Sequence, residues 1–154
     1  MNQFIEKFEA LKTELIAGHI AREDNIEGMP EEEIIAHENR IGYTLPKAYR
    51  AFLSTMGKSA GTFMFDMVVF CKDLECLFED AQEIINEFET PFALASHDYP
   101  FANYGGYHFL YFDASEGDDP PVYNFEQGQA DSKKVSDSFS ALMNSIANQY
   151  KHSP

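Results

Sequence analysis

A chain of 154 residues with 44% hydrophobic and 14% aromatic content has the material for one domain with a sizeable core. Eleven bases against 26 acids give a net charge of −15, a field that repels nucleic acid and anionic membranes and attracts basic partners. No uncharged apolar run of about 18 residues exists, which argues against a membrane span. The opening "MNQFIEKFEALKTELI" carries charges every few residues and lacks the apolar centre of a signal peptide. Cys71 and Cys76 are too few for a disulfide framework, so a reduced, cytoplasmic protein is expected.

Residues 3 to 17 place Phe4, Ile5, Phe8, Leu11, Leu15 and Ile16 at helical spacing, with Gly18 as a stop. The polar connector "HIAREDNIEGM" leads to a second helix. Pro30 suits its first turn, Glu31, Glu32 and Glu33 complement its dipole, and Ile34, Ile35 and Ile41 form its apolar stripe. Gly42 ends it. Pro46 starts a third helix lined by Tyr49, Phe52, Leu53 and Met56 and closed by Gly57. "GTFMFDMVVFC", residues 61 to 71, predicts a strand from its β-branched and aromatic content.

The strongest amphipathic pattern is "LECLFEDAQEIINEFE", residues 74 to 89. Leu74, Leu77, Phe78, Ala81, Ile84, Ile85 and Phe88 keep the helical period, acids fill the rest, and Asp73 is the expected N-cap. "FALAS" is a short apolar run and "HDYPFANYGG" a predicted loop. "YHFLYFD" and "PVYNFE" predict strands joined by an acidic turn. Val135, Phe139, Leu142, Met143, Ile146 and Tyr150 predict a last helix capped by Asp131 or Ser132. This order predicts one α+β domain, a mainly antiparallel sheet flanked by N-terminal, central and C-terminal helices.

Chemistry has little to hold. Cys71 and Cys76 lack the second pair of a zinc site. Asp113, Glu116, Asp118 and Asp119 miss the calcium-loop spacing, and Asp-Asp-Pro-Pro reads as a turn. No nucleophile elbow or phosphate loop occurs. His97-Asp98 is the one conceivable base with an orienting acid, and a loop histidine in solvent or hydrogen-bonded to backbone is the better account of it. No enzyme activity, metal or cofactor is expected. Charge is uneven, however: residues 59 to 131 hold 15 acids against the single Lys72, interleaved with aromatics between Tyr99 and Phe125. Such a mixture suits a protein-binding surface.

"IIAHENRIGYTLPKAYRAFLSTMG", residues 34 to 57, resembles the N-terminal signature of the SUKH superfamily through Ile34, Glu38, Ile41, Gly42, Leu45, Pro46, Tyr49, Arg50, Phe52, Leu53 and Gly57. A strand ending in Asp113, the Pro121-Val122-Tyr123 strand and the "SFSALMNSI" helix with Phe139 follow in the family's order. The resemblance implies a family core over residues 30 to 147, after an N-terminal helix and connector over residues 1 to 29. It also implies an α+β fold in which these motif residues are structural. The superfamily includes a fungal cell-wall assembly regulator and many bacterial immunity proteins that block polymorphic toxins, often nucleases. The resemblance brings no catalytic residues.

It therefore implies an immunity protein against a toxin with a basic surface. The alternative is a regulatory or scaffolding protein-binding module related to cell-wall assembly. Contact residues are expected among Glu75, Glu79, Asp98, Tyr99, Tyr104, Glu116, Asp118 and Asp119, chosen for charge or aromatic exposure. Glu38, a helix carboxylate in the signature, is expected to bond a nearby backbone N–H or Tyr49.

Overall fold

The computed structural model describes residues 3–61, 63, 76–104 and 106–151. Among these, five α-helices and six strands alternate as α1 (Gln3–Ala17), β1 (Ile26–Glu27), α2 (Glu31–Ile41), α3 (Lys47–Met56), β2 (Ser59–Ala60), α4 (Cys76–Asn86), β3 (Asp98–Tyr104), β4 (His108–Asp113), β5 (Val122–Glu126), β6 (Lys133–Ser136) and α5 (Phe139–Lys151). The strands form an antiparallel pair, β1–β2, and an antiparallel four-stranded sheet in the order β3-β4-β5-β6. The fold is α+β. The predicted strand at 61–71, the Asp73 cap and Cys71 lie outside the described residues or largely so.

Both faces of the large sheet are covered, which is why β4 is buried at four consecutive positions rather than at alternate ones. One face, with Phe101, Leu110, Phe112 and Val122, packs on α1, α3 and α5. The other, with Phe109, Tyr111 and Phe125, packs under Ala81, Ile84 and Ile85 of α4, and Phe92 stacks on Phe125 with ring centroids 4.2 Å apart. α1 belongs to the first core, contributing Phe4, Phe8, Leu11 and Leu15. Tyr49 of α3 is the hub of that core: its ring touches those of Phe52, Tyr99, Phe101, Phe112 and Phe139. Fully buried, its hydroxyl is held well above the ordinary tyrosine pKa.

Four expectations need correction. The predicted loop at 97–106 contains β3. Pro100 is tolerated there because, among the described residues, β3 is a sheet edge, and the ladder shifts register between Pro100 and Ala102. Val135 belongs to β6, half-exposed, not to the last helix. That helix starts at Phe139, with Ser138 Oγ accepting from the N–H of Ala141; Asp131 and Ser132 do not cap it, and Ser132 Oγ instead meets the Tyr111 hydroxyl. In α2 the second buried position is His37 rather than Ile35, which is 44% exposed.

Candidate protein-binding surface

The signature residues build the scaffold. Gly42 ends α2 in the left-handed region, φ 87°, where its N–H donates to the Glu38 carbonyl. The chain then turns back, so that Glu38 Oε2 accepts the Leu45 N–H at 2.6 Å and the Arg50 Nε at 3.0 Å, while Oε1 accepts a second Arg50 nitrogen at 3.0 Å. Of the two partners expected for Glu38, the backbone N–H is the one found, joined by Arg50. This two-pronged bond ties α2 to α3 and pushes the Arg50 pKa further up. Pro46 precedes α3 and Gly57 closes it through its N–H to the Leu53 carbonyl. Phe52, Leu53, Val122 and Phe139 are all buried.

The acidic turn from Asp113 to Pro121 is a clamp between elements. Asp113 Oδ1 accepts the N–H and hydroxyl of Ser115, an Asx turn. The Asp118 carbonyl accepts the N–H of Ala48 in the first turn of α3, and the Asp119 carboxylate accepts the N–H and hydroxyl of Ser140 in the first turn of α5. The Asp118 side chain itself points outward, 3.9 Å from Lys47. Glu116 is exposed and accepts the Tyr123 hydroxyl at 3.3 Å; burial first, then the Glu116 charge, pushes the Tyr123 pKa up.

Asp98 pairs directly with Asp113 across β3 and β4, and its Oδ2 accepts the Ala95 N–H at 2.8 Å. Partial burial, then the nearby Asp113 and Glu116, raise its pKa. Its own burial, then the charges of Asp98 and Asp113, push the Tyr43 pKa up to about 12. His97 faces Ser96, with Nδ1 at 3.1 Å from Oγ, and the Tyr43 ring. The Asp98 oxygen bonded here orients a backbone turn rather than the imidazole.

Across the sheet, α4 carries Glu79 and Glu83 on its exposed side, and exposed Glu87 follows directly after its last residue, Asn86. Asp80, Glu83 and Glu87 border a groove of about 270 Å³ against the β3–β4 and β5–β6 turns. Buried Asn103 of β3 donates to Asp80 Oδ2 at 2.8 Å. Beside Glu87 and Gly106 stand Phe88, 56% exposed, and Tyr107, 66% exposed. Several bases elsewhere are paired: Arg50 with Glu31 and Glu38, Lys58 with Glu33, Lys134 with Asp137. Among the described residues Glu79, Glu83 and Glu87 have no ion-pair partner.

The expected contact residues therefore scatter. Tyr99, chosen as an exposed aromatic, is fully buried and its hydroxyl meets His37 Nε2 at 2.8 Å. Asp119 is an inter-element cap. Asp98 and Glu116 come together at one end of the sheet, Glu79 is on the exposed side of α4, and Asp118 stands apart beside Lys47. Glu75 and the side chain of Tyr104 lie outside the described residues. Glu83, Glu87, Phe88 and Tyr107 were not singled out as contacts. Phe88 follows the period of α4 but sits beyond its last residue, Asn86, where the period no longer dictates burial.

No curated protein matches the chain. The sequence model of the SMI1 / KNR4 family (SUKH-1) matches residues 28–145, from the connector before α2 into α5. With the signature glycine, Leu-Pro and Glu38 network in place around an α+β core, the chain belongs to the SMI1 / KNR4 family (SUKH-1).

Proposed function

We propose that this chain is an immunity protein that binds and neutralises a cognate protein toxin with a basic surface, of the nuclease kind. It acts by covering the toxin, with no catalytic step, metal or cofactor of its own. The family includes both toxin immunity proteins and cell-wall regulators. The observation that favours the first is the division of charge: the bases from Arg50 to Lys58 pair with α2 acids, leaving a carboxylate-rich exposed side on α4. A field of this sign accelerates docking onto a phosphate-binding cleft, and aromatic anchors then slow release. A cytoplasmic toxin would be met in the cytoplasm.

The test is co-expression with the C-terminal domain of a toxin encoded beside this gene. Stoichiometric co-purification and rescue of growth are expected. A toxin domain that neither binds nor is neutralised, with a cell-wall or signalling enzyme captured specifically instead, would transfer the chain to the regulatory class.

A further inference from the structure

We propose that the groove between α4 and the two sheet turns receives an arginine-bearing segment of the partner, the guanidinium lying between Phe88 and Tyr107 and facing Asp80, Glu83 and Glu87. The assignment rests on the reading of the chain as a binder of a basic protein. Three independent features carry it. First, Phe88 and Tyr107 are the two most exposed large apolar side chains among those described, and both stand at this one end of the sheet. The Phe88 ring edge lies over the β5–β6 turn, 3.6 Å from where a Cβ on Gly128 would stand, and the Tyr107 carbonyl accepts the N–H of Gln127 in the same turn. Two aromatics held on neighbouring turns present π faces that a planar cation can stack on.

Second, the floor is built rather than loose: Asn103 is 6% exposed and fixes Asp80 by its amide, so one carboxylate is oriented before any ligand arrives. Third, the acids are set for an extended cation rather than a point charge. Glu79 and Glu83 of α4 and Glu87 just past its end are spaced four apart along the chain, and among the described residues no three His, Cys, Asp or Glu side chains converge to hold a metal ion. The other acidic end differs. Asp98, Asp113 and Glu116 there accept bonds from Ala95, Ser115 and Tyr123, and Tyr111 and Tyr123 stack on each other.

The experiment titrates the ¹⁵N-labelled full chain with a short arginine-rich peptide at low salt, then repeats the binding with the toxin domain. Peptide-induced shifts are expected at Glu83, Glu87, Asn103 and Gln127. Phe88→Ala with Tyr107→Ala should weaken peptide binding about tenfold, a hot-spot-sized loss. Glu116→Gln, at the far end, should change it little. The substituted side chains, Phe88, Tyr107 and Glu116, are exposed, so thermal melts of the variants verify that folding is intact. Shifts spread evenly over every acidic residue, or equal losses from Glu116→Gln, would overturn the groove. If the toxin domain binds wild type and the aromatic variant equally, the groove is wrong and the immunity reading stands. Peptide capture at the groove without toxin binding supports the groove and leaves the immunity reading to fail alone.

Discussion

Glu38 acts as a cap and a strut from one position, holding the N–H of Leu45 and the Nε–Nη2 edge of the Arg50 guanidinium. Its side chain is only 11% exposed, so truncation strands a donor and a cation that water reaches poorly. Glu38→Ala should cost about 2–3 kcal/mol, and Glu38→Gln about 1 kcal/mol because an amide oxygen can still accept from Leu45. Urea denaturation measures both; a loss under about 0.5 kcal/mol for the alanine variant would remove Glu38 from the scaffold. Asp98 works in the opposite sense. Burial and two neighbouring carboxylates raise its folded pKa above the unfolded value. Between those two values the folded state holds the proton more readily, so stability falls as pH rises through them. Asp98→Asn, which can keep the Ala95 bond, should therefore stabilise the protein at about pH 7 and have no such effect well below the usual carboxylate pKa. Equal destabilisation at both pH values would show that the Ala95 contact outweighs the charge.

At the scale of elements, the acidic turn shows how a run that looks like a site becomes architecture. Its spacing ruled out the calcium template, but sequence carries no sign that Asp118 and Asp119 would reach two different helices, since Ala48 and Ser140 are brought to them only by the tertiary fold. The two aspartates now have separate predictions. Asp119→Ala removes the acceptor for the Ser140 N–H and should cost about 1–2 kcal/mol, the size of a lost N-cap. Asp118→Ala removes only a long, exposed contact to Lys47 and should stay within about 0.5 kcal/mol. Thermal melts that rank the pair the other way would refute the clamp. The helices were legible because period and closing glycine agree in α1, and period, proline and glycine agree in α2 and α3. Where local signals disagreed with context they misled. Pro100 argues for a loop until an edge strand with a register shift accommodates it. Val135 continues the period of α5, yet the cap at Ser138 intervenes. Likewise the hydroxyl of Tyr99 suggested exposure, whereas a buried histidine one helix away satisfies it.

For the whole molecule, the net charge of −15 has a cost that the fold bears in α4. Glu83 has Glu79 four residues before it and Glu87 four after, and no base stands in the last turn, where the helix dipole favours one. Such an arrangement is the opposite of what stability alone would select, as expected of a surface kept for binding. Glu83→Lys turns two repulsions into attractions and adds a cation near the helix C-terminus, together about 1 kcal/mol at low salt. For a chain of this length that raises the melting temperature by about 3 °C. The gain should shrink as salt is added, because the charges are exposed and screened. The same variant should slow association with a basic partner, most strongly at low ionic strength. A calorimetric salt series and stopped-flow on-rates test the two halves together: greater stability with slower capture is the expected pair. A Glu83→Lys variant no more stable than wild type at low salt would mean that the acids of α4 carry no repulsive cost, and the case for their retention as a binding face would lose its physical basis.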